Sequence, residues 1–136
     1  MIPILSSENM YFYLNFEASI AIYPKNQSFD YIVELPETLE LTGGDWYCNL
    51  VNVSQPNPED RLILLDCLEY SYVKGSYLPV LRETDLAFEE FVLPEWHKVK
   101  TASLRRFHVK FLNYNTMSPP TPDNERCSLL IEIKKL

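Results

Sequence analysis

"TLELTGGDWYCNLVNV" (38–53) places two of the chain's three glycines between two runs of alternating apolar residues. A phosphate-cradling loop would need a strand, several glycines, usually a lysine, and a following helix whose N-terminus faces the anion. Gly43-Gly44 instead leads into a period-two pattern. Trp46, Cys48 and Leu50 fall on one face, with Tyr47, Asn49, Val51 and Val53 on the other, as in a strand. No lysine comes after the glycines within the stretch. A glycine pair between two such runs is a tight turn that needs φ > 0, and the stretch reads as the tip of a β-hairpin.

The same short alternation recurs on both sides. "MYFYLNF" (10–16) is aromatic-rich, and "YIVEL" (31–35) sets Tyr31, Val33 and Leu35 against Ile32 and Glu34 until Pro36 ends it. "RLILLDCL" (61–68) is almost continuously apolar, the pattern of a strand covered on both faces. "FHVKF" (107–111) turns Phe107, Val109 and Phe111 inward and Arg106, His108 and Lys110 outward. In "CSLLIEIKK" (127–135), Leu129, Ile131 and Ile133 share a face. The connections include the turn cluster "SQPNPED" (54–60) and the Pro-rich loop 115–125, and only 85–90 hints at a helical turn. Seven or eight short strands with almost no helix predict an all-β protein, an antiparallel sandwich or barrel, and the apolar inner face of each strand suits the β-sandwich. Pattern alone leaves an immunoglobulin-like sandwich or a single jelly roll open, although the Cys–Trp–Cys order of the former is absent.

Composition bounds the rest. At 136 residues, 46% hydrophobic and 13% aromatic, the chain fits one domain, 1–136, with a core of its own. A net charge of −7 argues against a nucleic-acid-binding surface. The charge is uneven: residues 1–90 carry 15 acids and 4 bases, residues 91–136 carry 4 acids and 8 bases. Opposite-signed parts can meet within one fold or between neighbouring copies. Cys48, Cys67 and Cys127 are odd in number, widely spaced and free of any CxxC, so reduced, half-buried thiols are expected rather than a disulfide framework or a zinc site. "MIPILSSENM" has no basic n-region, and no apolar stretch is long enough for a membrane span. The Asn26-Gln27-Ser28 and Asn52-Val53-Ser54 sequons then carry no weight, and a cytosolic or nuclear origin is expected.

Candidate chemistry is thin. His97 and His108 are the two ready bases, and a Cys67–His97 nucleophile–base pair is the one catalytic arrangement to test. Asp85, Glu89 and Glu90 read as a solvated acidic patch. Asp66, inside an apolar strand, reads as a buried carboxylate needing a partner, with Arg82 the natural choice. No catalytic, cofactor-binding or metal-binding residue and no cofactor is assigned; the chain does not read as an enzyme.

Two stretches carry a resemblance. In residues 10–56, Phe12, Tyr13, Leu14, Tyr23, Pro24, Asn26, Phe29, Val33, Leu35, Pro36, Leu39, Leu41, Gly44, Trp46, Leu50 and Pro56 match a pattern of the form "FYL…YP-N…F…V-LP…L-G-W…L". In "LLDCLEYSYVKGSYLPVLRETD" (64–85), Cys67, Val73, Gly75, Pro79, Leu81 and Arg82 match a second. "FVLPEWHKVKTASLRRFHVKF" (91–111) and the closing basic strand "CSLLIEIKK" complete the match in order. The chain resembles the penton-like single jelly-roll capsid proteins of Polinton-type viruses and adintoviruses. It departs from them in joining its halves through only Ser54–Asp60, where relatives carry a long insertion, and in having Asn52 where they carry an acid. The resemblance implies a structural subunit of a virion capsid, a homopentamer at the five-fold vertices beside a major capsid protein, made in the host cytoplasm or nucleus and not secreted. It implies neither a membrane span nor direct nucleic-acid binding. The alternative is a minor capsid or cement protein, or a host-factor-binding module on the same sandwich.

Overall fold

The structure, a computed structural model, describes residues 9–121 and 126–136. The expectations for the opening residues 1–8 and for 122–125 of the Pro-rich loop fall outside them. The elements are β1 (Asn9–Asn15), β2 (Asp30–Glu40), β3 (Trp46–Ser54), β4 (Arg61–Leu65), β5 (Ser71–Val73), β6 (Ser76–Leu78), β7 (Val80–Thr84), β8 (Phe88–Glu90), β9 (His97–Lys98), β10 (Ser103–Asn113) and β11 (Ser128–Lys135). One sheet runs β1-β11-β3-β8, with β9 pairing farther along β3, and the other runs β2-β10-β4-β7. Every strand pairing is antiparallel. The protein is an all-β antiparallel sandwich.

Consecutive strands alternate between the layers. β1 lies in the first sheet, β2 in the second, β3 in the first and β4 in the second. The chain then stays in the second sheet as far as β7, passing through the separate hairpin β5–β6, before β8 and β9, β10 and β11 alternate again. One lateral side of the sandwich is thus bounded by β1 and β2, the opposite side by β7 and β8.

Alternation supplies the core. Leu14, Cys48, Leu50, Leu129, Ile131 and Ile133 from one sheet meet Tyr31, Val33, Ile63, Leu65, Phe107, Val109 and Phe111 from the other, all buried. Phe12 and Phe107 touch across the layers with ring centroids 5.2 Å apart. The buried Tyr31 hydroxyl donates to the Leu14 carbonyl at 3.3 Å, the partner an interior phenol requires. The near-continuous apolar run of β4 is buried at all five residues. Its outward Leu62 and Leu64 join Val80 in a second cluster, roofed by Val73 and Leu78 of the β5–β6 hairpin.

Four local expectations are corrected. Gly43 and Gly44 do adopt positive φ (79° and 143°), but β2 and β3 lie in different sheets. The stretch is therefore a corner between layers and not a hairpin tip. β2 continues through Pro36 to Glu40, because β2 pairs only with β10 and the register shifts between Leu104 and Arg106, opposite the proline; an edge strand at a bulge needs no proline N–H. Val53 is buried with Leu50 and not opposite to it, since a register shift between Leu130 and Ile131 of β11 leaves Val51 of β3 as an extra residue and reverses the alternation. Residues 88–90 are strand β8, paired with Asn52–Ser54, and not a helical turn.

Candidate interaction surfaces

The residues with catalytic potential are dispersed. Cys67 is buried, and burial together with the Asp66 charge pushes its thiol up to about 12. A nucleophile needs the opposite shift. Burial raises the Cys48 thiol likewise, and Cys127 is equally enclosed, so the thiols expected to be half-buried are interior. His97 turns to Glu95, Nε2 to Oε1 at 3.0 Å, and His108 to Asp30 at 2.6 Å. The cysteine–histidine pair is not formed.

Asp66 is exposed, because β4 ends at Leu65 and the chain turns. Its carboxylate accepts the His108 backbone N–H at 3.0 Å and has no contact with Arg82. Arg82 instead lies over the Phe91 ring at 4.0 Å, donates to the Leu93 carbonyl at 3.1 Å and stands 3.8 Å from Glu95. It thereby pins the segment between β8 and β9, aided by Asn49 Oδ1, which accepts the Glu95 N–H at 3.2 Å. That segment presents apolar groups to solvent: Val92 is 90% and Leu93 77% exposed, next to exposed Phe88 and Leu86. Exposed apolar groups mark contact surfaces where they cluster, as these neighbours along the chain do. The opposite side of the sandwich carries exposed Tyr11 and Tyr13 on β1, beside a groove of about 500 Å³ where Met10 and Phe12 face Leu35 and Pro36 of β2.

Charges of both signs lie near these edges, and β2 itself exposes Glu37 and Glu40. Glu83, Asp85 and Glu90 are exposed at the β7–β8 side, and Glu89 there accepts the Thr84 hydroxyl at 3.1 Å. Arg105, Arg106 and Lys110 are exposed on β10 next to β2, Arg105 meeting Glu34 at 3.1 Å. Together with Tyr23, Arg105 lowers the Glu34 carboxyl, the Tyr23 hydroxyl at 2.6 Å acting most strongly. Glu83 behaves differently. A hydrogen bond between its carboxyl and that of Asp60 requires a proton and raises Glu83 to about 7, with burial and Asp85 adding and Lys74 opposing.

At one end of the sandwich, a cleft of about 490 Å³ opens between the β3–β4 loop, Phe29 and the loop after β10. Its floor holds Arg61, only 4% exposed. Reading the sequence passes over this residue, although an arginine heading an otherwise apolar strand, "RLILL", is the available signal. Among the described residues no group of three or more His, Cys, Asp and Glu side chains gathers to hold a metal ion.

No family model matches the chain, and no curated protein is similar to it in sequence.

Proposed function

We propose that this chain is a structural capsid protein, a penton-like single jelly-roll subunit that closes into a five-fold ring at the vertices of an icosahedral virion. The observation that carries the reading is the strand order. Two antiparallel layers, β1-β11-β3-β8 and β2-β10-β4-β7, with successive strands crossing between them, support this reading, since a jelly roll packs eight strands in two sheets as two Greek keys. Viral capsid domains use that architecture, as do lectins and cupins. The ordered sequence motifs favour the first of these.

The edges support the assembly half of the reading. A closed ring joins each copy to the next through two different surfaces, one complementing the other. Here the β7–β8 side offers Phe88, Val92 and Leu93 with acids around them, and the β1–β2 side offers Tyr11 and Tyr13, with acids on β2 and bases on the adjoining β10. Native mass spectrometry of the purified chain, alone and with its major capsid protein, tests this: a pentamer is expected. Leu93→Asp should abolish the ring while leaving the thermal midpoint of the monomer unchanged. A chain that stays monomeric at high concentration and does not enter particles would overturn the proposal.

A minor capsid or host-factor-binding module is the second reading, and the cleft around Arg61 favours it. An interface mapped to that end, without contacts between copies at the lateral edges, would replace the ring.

A further inference from the structure

We propose that the cleft beside Arg61 binds a carboxylate, which enters between the β3–β4 loop and the loop following β10. The inference starts from an imbalance of charge. Arg61 is 4% exposed, and among the described residues its hydrogen-bond acceptors are all neutral. Nη1 donates to Gln55 Oε1 at 2.8 Å and to the Asn57 carbonyl at 3.0 Å, and Nε donates to Asn113 Oδ1 at 3.4 Å. The Phe29 ring lies 4.5 Å from the guanidinium carbon. Such partners satisfy N–H groups without cancelling a buried charge.

Among the described residues, the one carboxylate paired with it is that of Glu59, 3.7 Å from Nη2, with a side chain 63% exposed against 5% for the arginine. At that distance no hydrogen bond forms, and an acid so exposed to water neutralises little. Glu59 therefore stands at the cleft mouth as an internal substitute, displaced when a better-placed acid arrives. The planar fork of Nε and Nη2 matches two carboxylate oxygens once the long 3.4 Å bond from Nε to Asn113 gives way. A phosphate dianion is a poorer match, since it would meet a single guanidinium, a competing Glu59 and a chain of net charge −7. Pro58 and Pro120 flank the opening and can pack against the aliphatic stem of an acidic side chain or a small organic acid.

The proposal is independent of the capsid reading, since a monomer and a ring subunit offer the same cleft. The test is an NMR titration of the intact chain, following the Arg61 Nε–H and the Asn113 side-chain amide. The probes are N-acetyl-glutamate N-methylamide, propionate and inorganic phosphate. Saturable shifts with either carboxylate probe are expected, and the tighter of the two identifies a peptide-borne or a free acid as the source. Glu59→Gln, an exposed substitution that leaves folding intact, should tighten that binding by about three-fold, as loss of an exposed competitor predicts. Three results would each overturn the assignment: no saturable shift, phosphate binding as tightly as the carboxylates, or an affinity unaltered in Glu59→Gln.

Discussion

The chain makes two glycine turns that look alike locally and do different things. Lys74-Gly75 joins β5 to β6, with φ of 48° and 85°. Both central residues are left-handed, the requirement of a type I′ hairpin. Gly43-Gly44 also has positive φ at both positions, yet it carries the chain from one sheet to the other. Surroundings separate them. A side chain added at Gly75 would meet open space, whereas one at Gly43 or Gly44 would come within 3.0 Å of the Lys135 side chain. The first turn is governed by its own two residues; the second is fixed by the layers on either side of it.

Two pairs of substitutions and one pH profile put that contrast at risk. The corner rests on the main core through Trp46, which is 8% exposed and donates its indole N–H to the Thr42 carbonyl at 3.0 Å. Trp46→Ala should cost about 3–5 kcal/mol in urea denaturation. Under the hairpin, Leu64→Ala empties part of the smaller cluster. The roof can settle over the gap, so the loss should stay near the low end for such changes, about 2 kcal/mol. Equal losses at the two sites would show that the hairpin is as integral as the corner.

Smaller effects separate the glycines themselves. Gly75→Asn should be nearly neutral, because asparagine tolerates left-handed backbone. Gly44→Asn should cost more than about 1 kcal/mol: φ of 143° lies beyond the left-handed well, and Lys135 must also move. Similar midpoints for the two variants would erase the distinction between the turns. The least effect is one of pH. Glu83, on β7 beside the hairpin's Lys74, is raised to about 7 when folded, above the usual carboxylate range near 4.3. The folded state then binds more protons than the unfolded one, so stability should fall as pH climbs from about 4.5 to about 7. Glu83→Gln should flatten that slope; a slope that persists would place its source elsewhere.

Legibility in the sequence divides along the same line between local and distant causes. The inward faces of β10 and β11 are readable because period-two alternation is written residue by residue, and Phe107, Val109, Leu129, Ile131 and Ile133 are buried as it requires. Val53 is not, since the extra residue in β3 is defined only against its partner β11. Asp66 looks buried in the sequence because its apolar neighbours continue past the point where β4 stops pairing. Arg82 stands out for its charge, but its partners Phe91, Leu93 and Glu95 come from the segment it pins. Arg61 gives only a weak local sign, because Phe29, Gln55 and Asn113 converge on it from three elements or loops.

An all-β chain, most of the residues that line its core and the points where its backbone must turn are all written in the order of the amino acids, because side-chain alternation and positive φ are properties of neighbours along the chain. Folding in three dimensions was needed to make "TGGDW" a corner and not a hairpin, and to leave Tyr11, Tyr13, Val92 and Leu93 in solvent at the edges. The burial of a guanidinium among neutral acceptors arises at that level too. Strand partners are chosen across tens of residues by the burial of whole faces, and no short stretch contains that choice.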